Sequence, residues 1–333
     1  MKQNLRVCSV AEASSTLTAE AVVVTDSNVA GHWLAAFGDR FTCIVEAGEA
    51  SKSWVQAGQI LESLVGHGIS RSTVVAALGG GVVGDLGGFA ASVLLRGVSL
   101  VQIPTSLLAM VDSSIGGKVG VDLQGGKNLA GAFWPAQEVY LCPEFLRTLP
   151  KEEWQCGAAE VWKYGAIMDC SLWEGLMQHP LGPESKDIER VILVCANHKL
   201  CIVEEDPYEK TGLRAILNFG HTVGHAIEWA LGYGAMTHGE AIAIGMVVEA
   251  RLGEVLGFTE KGVRDLICQG MVRQGLPVHV PESLSSEILL KGMARDKKAD
   301  SSGLAFSLLE RLGQCKLVKG VPPSAVMEAL KLQ

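Results

Sequence analysis

Three of the chain's eight histidines fall within LNFGHTVGHAIEWALGYGAMTHGE, Leu217 to Glu240. His221 and His225 are four residues apart, so a helix would place both rings on one face. A catalytic zinc usually takes three protein ligands and keeps one position open, and imidazole and carboxylate are suitable donors. His221, His225 and His238 are the imidazole candidates. A carboxylate is on offer in AAEVWKYG, where Glu160 and Lys163 lie three apart on one helical face. HTVGH lacks the glutamate that follows the first histidine of a zinc protease, so peptide hydrolysis is not the expected chemistry. Rings hydrogen-bonded inside a helical core remain the competing explanation.

A second chemistry is suggested by GGGVVGD, which follows an apolar run and contains Gly79-x-Gly81-x-x-Gly84. Such glycines let backbone N–H groups approach a pyrophosphate at a helix N-terminus. The acidic residue usual about twenty positions on is missing, because Pro104 and Thr105 occupy that window. Asp26, at the end of an earlier run, or Glu49 could hold a ribose instead; a tight packing turn would also explain the glycines. VDSSIGGKVGVDLQGGKN carries two Gly-Gly-Lys units, ending at Lys118 and Lys127. Glycine frees the backbone to bend around an anion while the ammonium supplies charge. The spacing is not that of a Walker A loop, and a solvated loop with two surface lysines is the alternative.

These groups need elements to hold them. AVVVTD, FTCIV, STVVAALGGG and VSLVQIPTS read as strands, with SWVQAGQILESLVGHG as an intervening helix. Alternation of this kind implies a mostly parallel sheet covered by helices. After Pro150 the apolar residues recur at helical spacing and no clear strand is evident. The expected architecture is a Rossmann-like α/β domain over 1–150, followed by an all-α domain over 151–333.

Composition bounds the rest. Of 333 residues, 48% are hydrophobic, yet no uninterrupted apolar run approaches the ~18 residues needed to span a bilayer. The N-terminus lacks the apolar core of a secretory signal. Nine scattered cysteines without a Cys-x-x-Cys pair suit reduced thiols, so a cytoplasmic protein with no membrane partner is expected. A net charge of −8 and no basic run argue against nucleic acid. An anionic small molecule responds to local charge and stays open. No internal repeat is visible.

The longer runs GGGVVGDLGGFAASVLLRG, QIPTSLLAMVDSSIGGKVGVD, GKNLAGAFWPAQEVYLCPEFLRTLP, GAAEVWKYGAI, GLRAILNFGHTVGHAIE, THGEAIAIGM and RDKK occur in this order within a resemblance that covers roughly residues 22 to 315. Together they resemble the 3-dehydroquinate synthase family of sugar phosphate cyclases. The resemblance implies Glu160, His221 and His238 as ligands of one divalent ion, zinc or cobalt. It implies NAD held by Asp26, Glu49, Lys52, Gly81, Gly84, Asp85, Thr105, Ser106, Lys118, Lys127 and the segment from Phe145 to Thr148. Lys163, His225, Asp112 and Arg214 take the catalytic places. Lys199 and Arg214 would receive a substrate carboxylate. Lys118, Asn128, Asn218, Lys298 and Arg96 would surround a phosphate, with Arg96 reaching across a homodimer.

The implied reaction is that of a carbon–oxygen lyase acting on a seven-carbon sugar acid phosphate: transient oxidation by NAD, loss of phosphate, re-reduction and aldol ring closure. A carboxylate-and-phosphate substrate suits a pocket rich in Lys and Arg, even in an acidic chain. The rivals are another sugar phosphate cyclase, whose substrate lacks the carboxylate, a metal-dependent polyol dehydrogenase consuming NAD, and a binding protein with structural histidines. Two departures stand out. EEDPYEKTGLR is one residue longer before Arg214 than the common family pattern, and VDLQGGKN replaces an Asn-His-Pro-Leu-type run.

Overall fold

The computed structural model describes residues 3–296 and 303–331. Lys298, expected near a phosphate, and its neighbour Lys297 lie outside the described residues. The chain divides into two units, 1–154 with 186–204, and 155–185 with 205–333. Periodicity alone placed 186–204 with the later helices; it lies instead with the first unit.

In the first unit the central sheet uses β1 (Asn4–Val7), β2 (Val22–Asp26), β3 (Thr42–Val45), β4 (Val74–Gly79), β5 (Ser99–Pro104) and β8 (Glu138–Leu141). Their order is β1-β8-β5-β4-β2-β3, and every neighbouring pair is parallel. A sheet covered on both faces loses the polar–apolar alternation, which is why Val22–Val24 and Val75–Leu78 are continuous buried runs. The connecting helices are α1 (Val10–Thr16), α2 (Ser27–Trp33), α3 (Trp54–Gly66) and α4 (Gly81–Val93). Ser9 and Glu12 form a capping box on α1, while Asp26 and Ser53 cap α2 and α3. The run with two Gly-Gly-Lys units folds as an antiparallel pair, β6 (Lys118–Leu123) and β7 (Gly126–Phe133), with the second unit at its turn.

The second unit is built around α8 (His221–Leu231) and α9 (His238–Val255). It also contains most of α5 (Lys151–Met168), with α6 (Cys170–Gln178), α10 (Val263–Gln274), α11 (Ser286–Asp296) and α12 (Pro323–Lys331). The helix α7 (Ile188–Glu205) ends at the boundary between units. The helical expectation holds with one correction: β9 (Leu304–Arg311) and β10 (Gln314–Val321) form an antiparallel hairpin. β9 buries Phe306, Ser307, Leu308 and Leu309 in succession, so the period of two that marks a strand is absent from its sequence. The hairpin joins α8, α9, α11 and α12 around a core that includes Val223, Ile227, Ile244, Val248, Phe306 and Leu308. Trp162 and Trp173 pack edge to face at 4.7 Å, an arrangement that adds ~1 kcal/mol beyond the area it buries. Among the described residues no helix is long and apolar enough to cross a membrane.

Candidate active site

In the second unit, three helices deliver one donor each. Glu160 lies within α5, His221 is the first residue of α8 and His238 the first of α9. Two glycines permit the approach. A Cβ at Gly239 would meet Cα of Cys156 at 2.4 Å, one turn before Glu160, and a Cβ at Gly245 would meet the Gly220 carbonyl at 1.9 Å, beside His221. Thr237 caps α9 with a complete capping box to Glu240, which fixes the turn that carries His238.

The donor atoms converge. Oε1 of Glu160 lies 3.4 Å from Nε2 of His221 and 3.4 Å from Nε2 of His238, and one ligand atom from each residue falls within 4.8 Å of the others. Each imidazole is oriented from its far side. Nδ1 of His221 donates to the Phe219 carbonyl at 3.2 Å, and Nδ1 of His238 faces Glu228 Oε2 at 3.4 Å. Both bonds place the proton on Nδ1 and turn the Nε2 lone pair inward, as histidine ligands of metals are ordinarily held. Burial, aided by Lys163 and the two other histidines, holds the His221 pKa well below its usual value, so this ring is neutral. Burial works the same way on His238, but Glu160 and Glu228 more than offset it and raise the pKa to about 9, so a cation bound here takes the place of the His238 Nε2 proton.

Does this constellation fit a cation? Glu160 Oε1 is buried and makes no hydrogen bond, whereas buried carboxylate oxygens are normally satisfied. One acid and two imidazole Nε2 atoms turned toward it match the donor set of a divalent zinc or cobalt site with an open position. The residues fit.

Other expected residues gather nearby. Lys163 forms an ion pair with Glu160, and both side chains are 1% exposed. The His225 ring centroid lies 5.4 Å from that of His221 and 6.0 Å from that of His238. Arg214 and Asn218 belong to the 3-10 turn Leu213–Asn218. Arg214 is buried, with Nε 3.5 Å from Glu209 and NH1 donating to the Pro207 carbonyl at 3.3 Å. The 206–214 segment is held by Asp206, which accepts from the N–H groups of Lys210, Thr211 and Arg214 at 2.8, 3.2 and 3.3 Å.

In the first unit the expected cofactor residues share one end of the sheet. Asp26 ends β2, Glu49 and Lys52 follow β3, Gly81 follows β4, Thr105 and Ser106 follow β5, and the 3-10 turn Pro143–Thr148 follows β8. Ligands of open α/β sheets bind outside the carboxyl ends of the strands. Gly80 is the N-cap of α4 and supplies no side-chain acceptor to its first turn. The flanking glycines also serve packing: a Cβ at Gly84 would meet Gln102 Oε1 at 2.9 Å. Lys52 is buried and 2.5 Å from Asp85, and Lys127 lies 3.7 Å from Glu49. Burial tends to lower the Lys52 pKa, but Asp85, Glu49 and Asp122 outweigh it. Phe145 packs its ring against Trp33, and Trp33 Nε1 donates to Thr148 at 2.8 Å.

Asp112 sits in a π-helical turn, Ala109–Ser113, a local form frequent at functional sites, and is ion-paired with Lys199 of α7. Lys118 and Asn128 are exposed on the β6–β7 pair, with Asn128 at a left-handed φ of 56°. Arg96 is exposed at φ 67°, next to Leu95 at φ 50°. Sequence reasoning missed two acids, Glu228 and Glu249. Their signal was an acid inside an otherwise apolar helical run, which only a polar partner in the fold explains.

Residues 42–156 match the family model for the N-terminal part of 3-dehydroquinate synthase, and residues 157–299 that for its C-terminal part. The 3-dehydroquinate synthase of Xanthomonas axonopodis pv. citri is 42% identical over 328 residues, 93% of this chain and 88% of that one. Among solved structures, 2-epi-5-epi-valiolone synthase from Streptomyces hygroscopicus subsp. jinggangensis, with NAD+ and Zn2+ bound, superposes with a TM-score of 0.90 at 25% identity, covering 100% of this chain and 96% of that one. A 2-deoxy-scyllo-inosose synthase complexed with carbaglucose-6-phosphate, NAD+ and Co2+ gives 0.84 at 24% identity, with 99% and 96% covered.

Proposed function

The chain belongs to the 3-dehydroquinate synthase family, and from that membership we infer that it converts 3-deoxy-D-arabino-heptulosonate 7-phosphate into 3-dehydroquinate and phosphate. It is a lyase of the shikimate route to aromatic amino acids, and it uses NAD and one divalent metal ion, as the ligands of its structural relatives support. The observation that carries this reading is the meeting of Glu160, His221 and His238.

When bound, NAD supplies a transient oxidation of one substrate hydroxyl and its reversal, and the divalent ion supplies polarisation of that oxygen. The chain's own residues do the rest. Glu160, His221 and His238 hold the ion. Lys163, ion-paired with Glu160, and His225, beside both ligand rings, orient substrate hydroxyls and handle protons. Arg214 meets the substrate carboxylate, and the Asp206 segment presents it; Lys199, steered by Asp112, takes the same anion.

Lys118, Asn128, Asn218 and Lys298 are assigned to the phosphate, with Arg96 supplied by a second copy in a homodimer. Asp26, Glu49, Lys52, Asp85, Lys127, the Gly81–Gly84 turn, Thr105, Ser106 and the Phe145–Thr148 segment are assigned to NAD. Nine free cysteines suit the reducing cytoplasm, where we place the reaction. A cyclase acting on a sugar phosphate without a carboxylate would have no second anion for the buried, acid-braced Arg214 to receive, which favours the carboxylate-bearing substrate.

The test is incubation of purified protein with the sugar acid phosphate, NAD and Zn2+ or Co2+. Phosphate release with a carbocyclic product and no net NADH supports the assignment. Steady NADH accumulation on a polyol would overturn it.

A further inference from the structure

The N-terminus of α8 is closed by a residue from another helix. Its N-cap, Gly220, adopts φ 82° and has no side chain to accept from the first turn. The third helical residue is Val223, which cannot return a bond to the cap. A capping box needs both halves, and α8 has neither. Glu249, on α9 and fully buried, supplies both acceptors: Oε2 takes the Gly220 N–H at 2.7 Å and Oε1 takes the Val223 N–H at 3.1 Å. A carboxylate so buried is tolerable only with such partners, and the positive end of α8 adds to their effect. His221 lies between the two donors, with its Nε2 turned to Glu160 Oε1.

We propose that Glu249 is a positioning residue for the metal site: by fixing the first turn of α8 from α9, it holds His221 in register with His238, which heads α9. One helix thereby carries one ligand and the clamp for another. The inference rests on Glu160, His221 and His238 being the ligands, and it adds a group outside that set on which their geometry depends. Glutamine at this position keeps the size but turns an amide N–H₂ toward one of the two N–H donors, so one bond must be lost.

The test is the Zn2+ dissociation constant, read by competition with a chromophoric chelator, together with the visible absorption of the Co2+-loaded protein. Wild type, Glu249→Gln, Glu249→Ala and Val326→Ala are compared. The last truncates the buried core of the same unit on α12 and controls for lost stability. Groups that orient metal ligands typically change affinity 10- to 100-fold. Glu249→Gln is expected to weaken Zn2+ by about 10-fold and Glu249→Ala by more, both altering the Co2+ band. Val326→Ala is expected to lower the melting temperature and leave Zn2+ affinity unchanged. Should Glu249→Ala not fold, the Gln variant carries the test. Zn2+ bound by Glu249→Gln as tightly as by wild type, or weakened equally by Val326→Ala, overturns this proposal alone. Failure of wild type to bind Zn2+ overturns the ligand assignment with it.

Discussion

Lys163 ion-pairs with Glu160 one turn earlier on α5, and water reaches neither side chain. Two charges are thus withdrawn from solvent on one helix face, an arrangement whose desolvation cost its mutual attraction barely repays. Glu160 spends one oxygen on the ammonium and turns the other toward two imidazoles. On the reading proposed above, the pair belongs to a cation site rather than serving as a stabilising device.

Lys163→Met therefore leaves a buried carboxylate without its ammonium, which costs ~3 kcal/mol or more when one partner of a buried pair is removed. A bound divalent ion restores a positive partner to Glu160. Thermal melts should show a large drop for the variant in chelator and a much smaller one in Zn2+. An equal drop in both conditions would count against the ion contacting Glu160.

Arg214→Ala should raise KM for the carboxylate-bearing substrate while the fold persists. A charged hydrogen bond is worth about 2 kcal/mol, or roughly a 30-fold loss in kcat/KM. Steady-state kinetics check this, and unchanged kinetics would remove Arg214 from the site.

The loop that presents Arg214 should have its own pH signature. Burial opposes the Asp206 charge, but the N–H groups of Thr211, Arg214 and Lys210 hold its pKa at about 2, below the ordinary 3.8. The folded value is the lower one, so the stabilisation is fully present above pH 3.8 and is lost as pH falls towards 2. The difference in melting temperature between wild type and Asp206→Asn should be constant near neutrality and shrink across that interval. A gap independent of pH would mean that the carboxylate charge is not what organises the segment.

Lys52→Met separates the two units' tasks. It removes the buried partner of Asp85 in the first unit, so NAD affinity should fall about 10-fold, in line with a lost charge-assisted bond. Zn2+ affinity should stay at the wild-type value. Calorimetry with each ligand distinguishes this from general destabilisation, which would weaken both.

Much of this was legible in the chain because local chemistry and global fold agree at those positions. A strand that runs into Gly80 and Gly81 has few options other than a strand–turn–helix unit, and His221 with His225 could share a face only on a helix. Which histidines meet Glu160 depends on how closely α5, α8 and α9 approach at Gly239 and Gly245, and no spacing in the sequence encodes that. The segment 186–204 has a helical period, but a period reports that one face is buried and not what covers it. The β9–β10 hairpin escaped because Phe306 to Leu309 are all buried, so alternation was gone. Glu249 and Glu228 escaped for the opposite reason: each is a charge in an apolar stretch whose partner lies on another turn or helix.

The most direct measurement of the central claim is the zinc content of purified protein, taken together with phosphate release from the sugar acid phosphate. Wild type should retain one zinc per chain, and Glu160→Gln, His221→Ala and His238→Ala should each lose both zinc and phosphate release while remaining folded. A Glu160→Gln protein that keeps its zinc and releases phosphate at the wild-type rate would contradict the account.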